Sequence, residues 1–293
     1  MKWQIVDLLD FEGEIHAVRG GLLINETRVP LQDVGTVLLG SKCRWGYGLV
    51  SHAAKFDVAV LMCDWRMVPI SVLLHWSNNT RVGARQRAQA NLSVPKQKQA
   101  WKALVETKIR NQAQCLKFAQ GLDVPRLREL ARMVRSGDLS NCEAQAALVY
   151  WGQIYGSEFR RVQEMEDATN SFLNYGYTIL RGVVVRSIVS HGLWPALGVF
   201  HRHRANEFAL ADDLVEPFRP CVDLLVHQLI QMGSTEVDKS VRRKLASVGQ
   251  QRYGASGETV ATAIDDLCSR YANYVEGDGV RFTVSRWSPD TNG

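Results

Sequence analysis

A chain of 293 residues, 46% hydrophobic and 22% charged with a net charge of +5, holds enough material for one large globular domain or two ordinary ones. Its six cysteines (Cys43, Cys63, Cys115, Cys142, Cys221, Cys268) are scattered and form no Cys-x-x-Cys pair, which argues against a zinc ribbon and a secreted disulfide framework. No apolar run approaches the roughly 20 residues of a membrane span, and the opening MKWQIVDLLDFEGE carries acids where a signal peptide needs an apolar stretch. A cytoplasmic protein without membrane association is the expectation.

Residues 1–77 read as a small β-rich domain. Short apolar runs at 15–18, 22–24, 34–39, 58–62 and 70–74 are separated by glycine and polar breaks. Gly20-Gly21, between the first two runs, predicts a hairpin turn, and a single helix is expected over 46–54. Ser77-Asn78-Asn79-Thr80 breaks the pattern and marks a boundary. Residues 78–95 read as a basic linker and residues 96–293 as a larger all-helical domain, which together give an α+β class. Trp101, Leu104, Val105 and Ile109 recur at three- and four-residue steps, so their helix has one apolar face, with the basic residues around it left in solvent. Further helices are expected over 124–134, 141–159 and 168–190. Residues 201–213 read as irregular, helices return after Pro217, and the tail beyond Gly277 reads as loosely ordered.

Charge is concentrated. Between Arg81 and Arg110 stand Arg81, Arg85, Arg87, Lys96, Lys98, Lys102, Lys108 and Arg110 against Glu106 alone, so the remainder of the chain is net acidic. Such a segment fits a polyanion partner, although a solvated helix face has the same composition.

The chemistry-bearing residues lie further on. Residues 201–220, HRHRANEFALADDLVEPFRP, place His201, Asp212, Asp213 and Glu216 in one short segment, and an imidazole with several carboxylates near a basic surface suits a hard metal acting on a phosphodiester. Plainer readings exist: an exposed basic loop for His201 to Arg204, and acids at a helix start before Pro217. Glu143 follows Ser140 by three residues, the spacing of a capping box, and can also complete the acidic set. Arg219, between Phe218 and Pro220, reads as a phosphate clamp or a salt-bridge partner. No phosphate-binding glycine fingerprint or serine-hydrolase elbow is present.

Several blocks taken in order resemble a known family: residues 56–69 (FDVAVLMCDWRMVP), WKALVETKIRNQ within 99–112, EAQAALVYW from Glu143, 173–198 (LNYGYTILRGVVVRSIVSHGLWPALG) and 208–220 (FALADDLVEPFRP). The chain resembles the CRISPR-associated integrase and endonuclease of spacer acquisition, in its type II branch, over nearly its whole length. The resemblance implies a β-rich N-terminal domain, a linker and an all-helical catalytic domain, with a metal site on Glu143, His201 and Glu216. Asp212 and Asp213 stand as supporting acids, and the choice between Asp213 and Glu216 as last ligand stays open. His203, two residues beyond His201, departs from the pattern. The implied reaction is a Mg²⁺- or Mn²⁺-dependent transesterification, in which the 3′-hydroxyl of a short DNA fragment attacks a phosphodiester at the edge of a CRISPR repeat. Arg81, Arg85, Arg87, Lys96, Lys98, Lys102, Arg202 and Arg204 are the expected phosphate contacts. The implied partners are DNA (short duplex fragments and the repeat), a second copy forming a homodimer through the N-terminal sheets, and a small ferredoxin-like adaptation protein. A nuclease of branched DNA or RNA, and a non-catalytic nucleic-acid scaffold, are the alternatives.

Overall fold

The computed structural model describes residues 4–64, 69–73, 79–162, 167–277 and 279–288. Its N-terminal part holds eight strands in two sheets: β1 (Gln4–Leu8), β2 (Gly13–Val18), β3 (Gly21–Ile24), β4 (Thr27–Pro30), β5 (Val34–Leu39), β6 (Cys43–Trp45), β7 (Ala59–Cys63) and β8 (Pro69–Leu73). One sheet has the order β1-β5-β7-β8 and the other β4-β3-β2-β6. Strand β5 lies between β1 and β7, parallel to both, and all six of its residues are buried. Burial on both faces is why it reads as a continuous apolar run. Alternate side chains enter different cores: Val37, Leu39 and Val60 join a small core between the sheets and helix α1 (Tyr47–Phe56), whereas Leu38, Ala59 and Leu61 join the large helical core.

The Gly20-Gly21 turn joins β2 to β3 as expected, with Gly20 at a positive φ of 77°. Strands β1, β4 and β6 were not legible as apolar runs. Strand β4 is largely exposed and β6 has only three partly exposed residues, so neither leaves an apolar alternation to read. The expected boundary at Ser77 and Asn78 lies outside the described residues.

The chain then becomes helical: α2 (Val82–Ala90), α3 (Val94–Gln120), α4 (Pro125–Met133), α5 (Cys142–Tyr155), α6 (Ala168–Ser190), α7 (Ala209–Leu214), α8 (Arg219–Gln231), α9 (Lys239–Ala246) and α10 (Val260–Glu276). The stretch expected as a basic linker therefore contains a helix. Polar ties dock it: Gln89 donates to the carbonyls of Trp194 and Leu197 and accepts from the Trp194 N–H, and Arg85 donates to the His191 carbonyl at 2.7 Å. A helix held by hydrogen bonds rather than an apolar stripe leaves little periodicity in the sequence. Helix α3 runs through the middle, packing on α4, α5, α8 and the Glu216–Phe218 turn. The sheets meet the helices at α6, where Arg186 pairs with Asp57 at 2.7 Å and Leu61 closes over Gly182.

The tail departs from expectation. Phe282 and Trp287 are buried, and Trp287 donates its backbone N–H to Asn111 and its indole N–H to the Arg252 carbonyl. Two aromatic anchors in an otherwise polar stretch match no helical or strand period, so composition suggested looseness where packing gives order. Among the described residues no helix is long and apolar enough to cross a membrane.

A buried carboxylate ties three helices. Asp223 of α8 accepts from Tyr150 of α5 at 2.8 Å and from the hydroxyl of Tyr177 of α6, while Tyr155 donates to its carbonyl. Burial pushes the Asp223 carboxyl up to about 6, with the tyrosine hydroxyls and the nearby Arg219 and Arg161 charges partly opposing. An acid raised in the folded state binds more protons folded than unfolded, so its contribution is full below about pH 4 and is lost as pH rises through about 6. Asp223→Asn removes this dependence. Denaturant titrations at pH 4 to 7 should show the variant gaining about 3 kcal/mol relative to the parent across that window.

Candidate active site

Helix α3 presents one face to the candidate site. Lys108 lies two turns beyond Trp101 on the same face, and Asn111 one turn further. Each holds a different part of the site.

Lys108 joins two acids. Its Nζ lies 2.5 Å from Glu143 Oε1 and 2.5 Å from Glu216 Oε2. Glu143 sits in the first turn of α5, and Glu216 in the buried turn between α7 and α8. Burial disfavours the Lys108 charge, but the two carboxylates outweigh it and hold the ammonium above its usual range. Burial likewise pushes the Glu216 carboxyl up, while Arg219 and Lys108 more than offset it and hold Glu216 below the usual carboxylate range. Arg219 completes the group, its Nε 2.9 Å from Glu216 Oε1 and its guanidinium 4.6 Å from the centre of the Tyr177 ring. Asn111 donates at 2.7 Å to the carbonyl of Pro217, fixing the turn that carries Glu216.

Glu143 is free for this role because another acid caps its helix. Asp138 accepts from the backbone N–H of Cys142 at 2.9 Å and of Glu143 at 3.0 Å. The Ser140–Glu143 capping box is not formed: Asn141, in the left-handed region, is the cap residue.

The two aspartates do different work. Asp213 is fully buried and accepts from the backbone N–H groups of Val199, Phe200 and His201 and, at 2.7 Å, from His201 Nδ1. A carboxylate with four donors orients the imidazole, and it fixes the proton on Nδ1 so that Nε2 faces outward without a protein partner among the described residues. The Asp213 hydrogen bond also holds the His201 imidazole above its usual value against the opposing effect of burial. The loop requires Gly198, where an added Cβ would stand 2.4 Å from the His201 carbonyl oxygen. Asp212 points the other way, pairing with Arg181 at 2.8 Å and accepting from Asn206. It is therefore Glu216, and not Asp213, that stands beside Glu143. His203 is exposed and apart from the group. Helix α7 begins at Ala209, earlier than expected, and sets both aspartates on helical backbone.

A cleft of about 660 Å³ opens beside these residues, between β8 and α6, with Arg161, Arg181, Arg219, Tyr177, Asp212 and His201 among its walls. Of the cations expected to contact phosphate, Arg87, Lys98, Arg202 and Arg204 are exposed. Lys102 is half-buried. Arg81 and Arg85 pair with Glu276 at the end of α10, and Lys96 donates to the Gly277 carbonyl. Sequence reasoning missed Lys108, Asn111, Asp138 and Arg181. Lys108 carried a signal: it occupies the apolar stripe four residues after Leu104, where a charged side chain requires a buried counter-charge.

Among the described residues no three His, Cys, Asp or Glu side chains stand close enough to enclose a metal ion. Two carboxylates bridged by a cation, with an outward imidazole nitrogen nearby, form a donor set of the type hard divalent ions take.

The sequence profile for CRISPR associated protein Cas1 matches residues 18–248. The chain belongs to the Cas1 family. It is 34% identical over 281 residues to a CRISPR-associated endonuclease Cas1 from Neisseria meningitidis, covering 92% of this chain and 91% of that protein. Another relative, from Pyrobaculum aerophilum, is 28% identical over 270 residues, covering 83% of this chain and 90% of the relative. The fold matches a solved Cas1 protein from Thermotoga maritima with a TM-score of 0.78 at 14% identity, covering 95% of this chain and 99% of that one. It also matches a casposase bound to its integration product, with a TM-score of 0.76 at 20% identity, covering 97% and 93% of the two chains.

Removing Lys108 should leave buried Glu216 poorly compensated. Lys108→Met is expected to cost about 3–5 kcal/mol in chemical denaturation, and Lys108→Met combined with Glu216→Gln less than the sum of the two single changes. Additive losses would show that the ammonium and the carboxylate do not interact energetically.

Proposed function

We propose that this Cas1-family protein is a metal-dependent DNA integrase that inserts short DNA fragments into a CRISPR array. The observation that supports this most strongly is the convergence of Glu143 and Glu216 on one cationic position beside an imidazole already oriented by Asp213. Glu143, Glu216 and His201 Nε2 would hold Mg²⁺ or Mn²⁺, which supplies charge neutralisation at phosphorus and eases loss of the hydroxyl proton. In the reaction, the fragment's 3′-oxygen bonds to phosphorus as the bond from phosphorus to the target strand's 3′-oxygen breaks. The proton lost by the attacking hydroxyl is balanced by one gained by the leaving oxygen. Phosphodiesters are conserved in number, so no nucleoside triphosphate is consumed.

This chain's own side chains perform the supporting steps. Asp213 holds the His201 tautomer, Arg219 and Lys108 keep Glu216 ionised in a buried turn, and Arg161 and Arg181 give the cleft a positive wall for a DNA backbone. The DNA partner fits the exposed cations Arg87, Lys98, Arg202 and Arg204. A homodimer through the N-terminal sheets and a small ferredoxin-like adaptation protein complete the reading. Related solved assemblies bear the names Cas6-RT-Cas1–Cas2 complex and TtCas1-DNA complex. The curated relatives are called endonucleases, so hydrolysis at the same site, with water as nucleophile, is the second reading.

The test combines the protein, the small partner, Mn²⁺, a labelled duplex and a supercoiled plasmid carrying a repeat. Label should join the plasmid with free 3′-hydroxyl ends, and fall to background with 3′-deoxy ends, with Glu143→Gln or with chelator. Nicking that ignores the fragment ends favours the nuclease. Joining undiminished by Glu143→Gln would remove this site from the reaction.

A further inference from the structure

A second pocket, of about 320 Å³, adjoins the site on the α3 side of the segment 199–202, and nothing in the joining reaction described above uses it. Its walls include Gln97, Lys98, Trp101, Gly137, Phe200 and Arg202. Phe200 is 50% exposed, an unusual position for a large aromatic side chain, and its ring lies flat on Trp101 at 4.3 Å with planes 3° apart. Trp101 is itself 1% exposed, and its indole N–H is buried with no acceptor among the described residues. An unpaired buried donor is costly, which points to an acceptor supplied from outside the chain.

Charge and position narrow the ligand. Lys98 and Arg202 are exposed and have no carboxylate partner among the described residues; Arg202 reaches only the amide of Gln97. No acidic side chain is among the walls. The pocket also sits at the first turns of the 27-residue α3, where the helix dipole favours an anion, and the Ser93 side chain makes no capping bond there. Lys98 packs over Gly137, where an added Cβ would stand 3.2 Å from Lys98 Cγ. His201 meets both rings edge-on, at 5.8 Å from Trp101 and 5.6 Å from Phe200, so an occupant lies directly beside the imidazole of the candidate active site. A purely apolar ligand leaves the two cations and the indole N–H unused. A bare anion leaves the half-exposed ring unused. A flat, acceptor-bearing ring linked to phosphate uses all of them.

We propose that this pocket is a nucleotide subsite, in which one unstacked base of the DNA at the active site rests on Phe200 and offers an acceptor to Trp101 Nε1, while its phosphates lie against Lys98, Arg202 and the start of α3. The inference rests on the DNA-joining reading and adds a place where a single base is held out of the stack next to the reacting phosphate.

The test measures binding without chemistry. Full-length protein is titrated, in chelator, with a labelled duplex bearing a single-stranded 3′ extension, and a single abasic residue is walked through the extension and the adjoining pairs. Two variants are compared: Phe200→Leu, which keeps an apolar cover on Trp101 but removes the flat ring, and Trp101→Phe, which keeps a ring but removes the N–H. Phe200→Leu should weaken binding of intact DNA by about 5- to 100-fold. At one abasic position the parent should lose a similar factor and Phe200→Leu should add nothing further, the signature of a shared contact. Trp101→Phe should weaken binding at that same position. Unchanged affinity in both variants overturns the proposal, and so does a uniform loss at every abasic position. Because the readout needs no joining, Glu143-dependent joining with no such coupling removes the subsite alone. Coupling without joining removes the integrase reading and keeps the subsite.

Discussion

The arrangement turns on one ammonium group placed between two carboxylates inside the helical domain. Lys108 cannot be buried without counter-charge, and Glu216 cannot be buried ionised without Lys108 and Arg219. That mutual requirement binds three elements distant in sequence: α3, the first turn of α5 and the turn before α8. Around it α3 acts as a rail. Trp101 backs the His201 loop, Lys108 joins the acids, and Asn111 holds the Pro217 carbonyl while accepting from the tail at Trp287. The helix that carries the core is therefore also the helix that sets the geometry of the site.

Burial separates acids that the sequence cannot tell apart. Asp212 and Asp213 are neighbours, yet one faces Arg181 across the cleft and the other is saturated by three backbone N–H groups and the His201 ring. Asp138 takes the cap of α5 and so releases Glu143. Asp223 sits deeper still, among tyrosines, and ties α5, α6 and α8 behind Arg219. Each carboxylate is defined by its donors and not by its spacing along the chain.

Much of the fold was legible because it rests on period. The run at β5 was readable from its unbroken apolar residues, and the helix over 168–190 from its length and its glycine and proline stops. Elements held by polar ties were not: α2 depends on Gln89 and Arg85 reaching loop carbonyls, and the tail depends on two aromatic side chains. In the candidate site, Glu143, His201 and Glu216 were marked by residue type and family resemblance. Lys108 was counted among solvated basic residues, because charge counting ignores which helical face a side chain occupies. The capping spacing at Ser140 and Glu143 suggested a bond that Asp138 makes instead.

The central claim is that the position held by the Lys108 ammonium, beside His201, is a divalent-cation site. Titration of Mn²⁺ into the protein, following the spectrum of the free ion by electron paramagnetic resonance, tests it most directly. The account predicts saturable binding by the parent chain, lost or strongly weakened in Glu143→Gln and in Glu216→Gln, with the fold of each variant checked by circular dichroism. Binding of equal strength in the folded variants, or no binding by the parent, would contradict it.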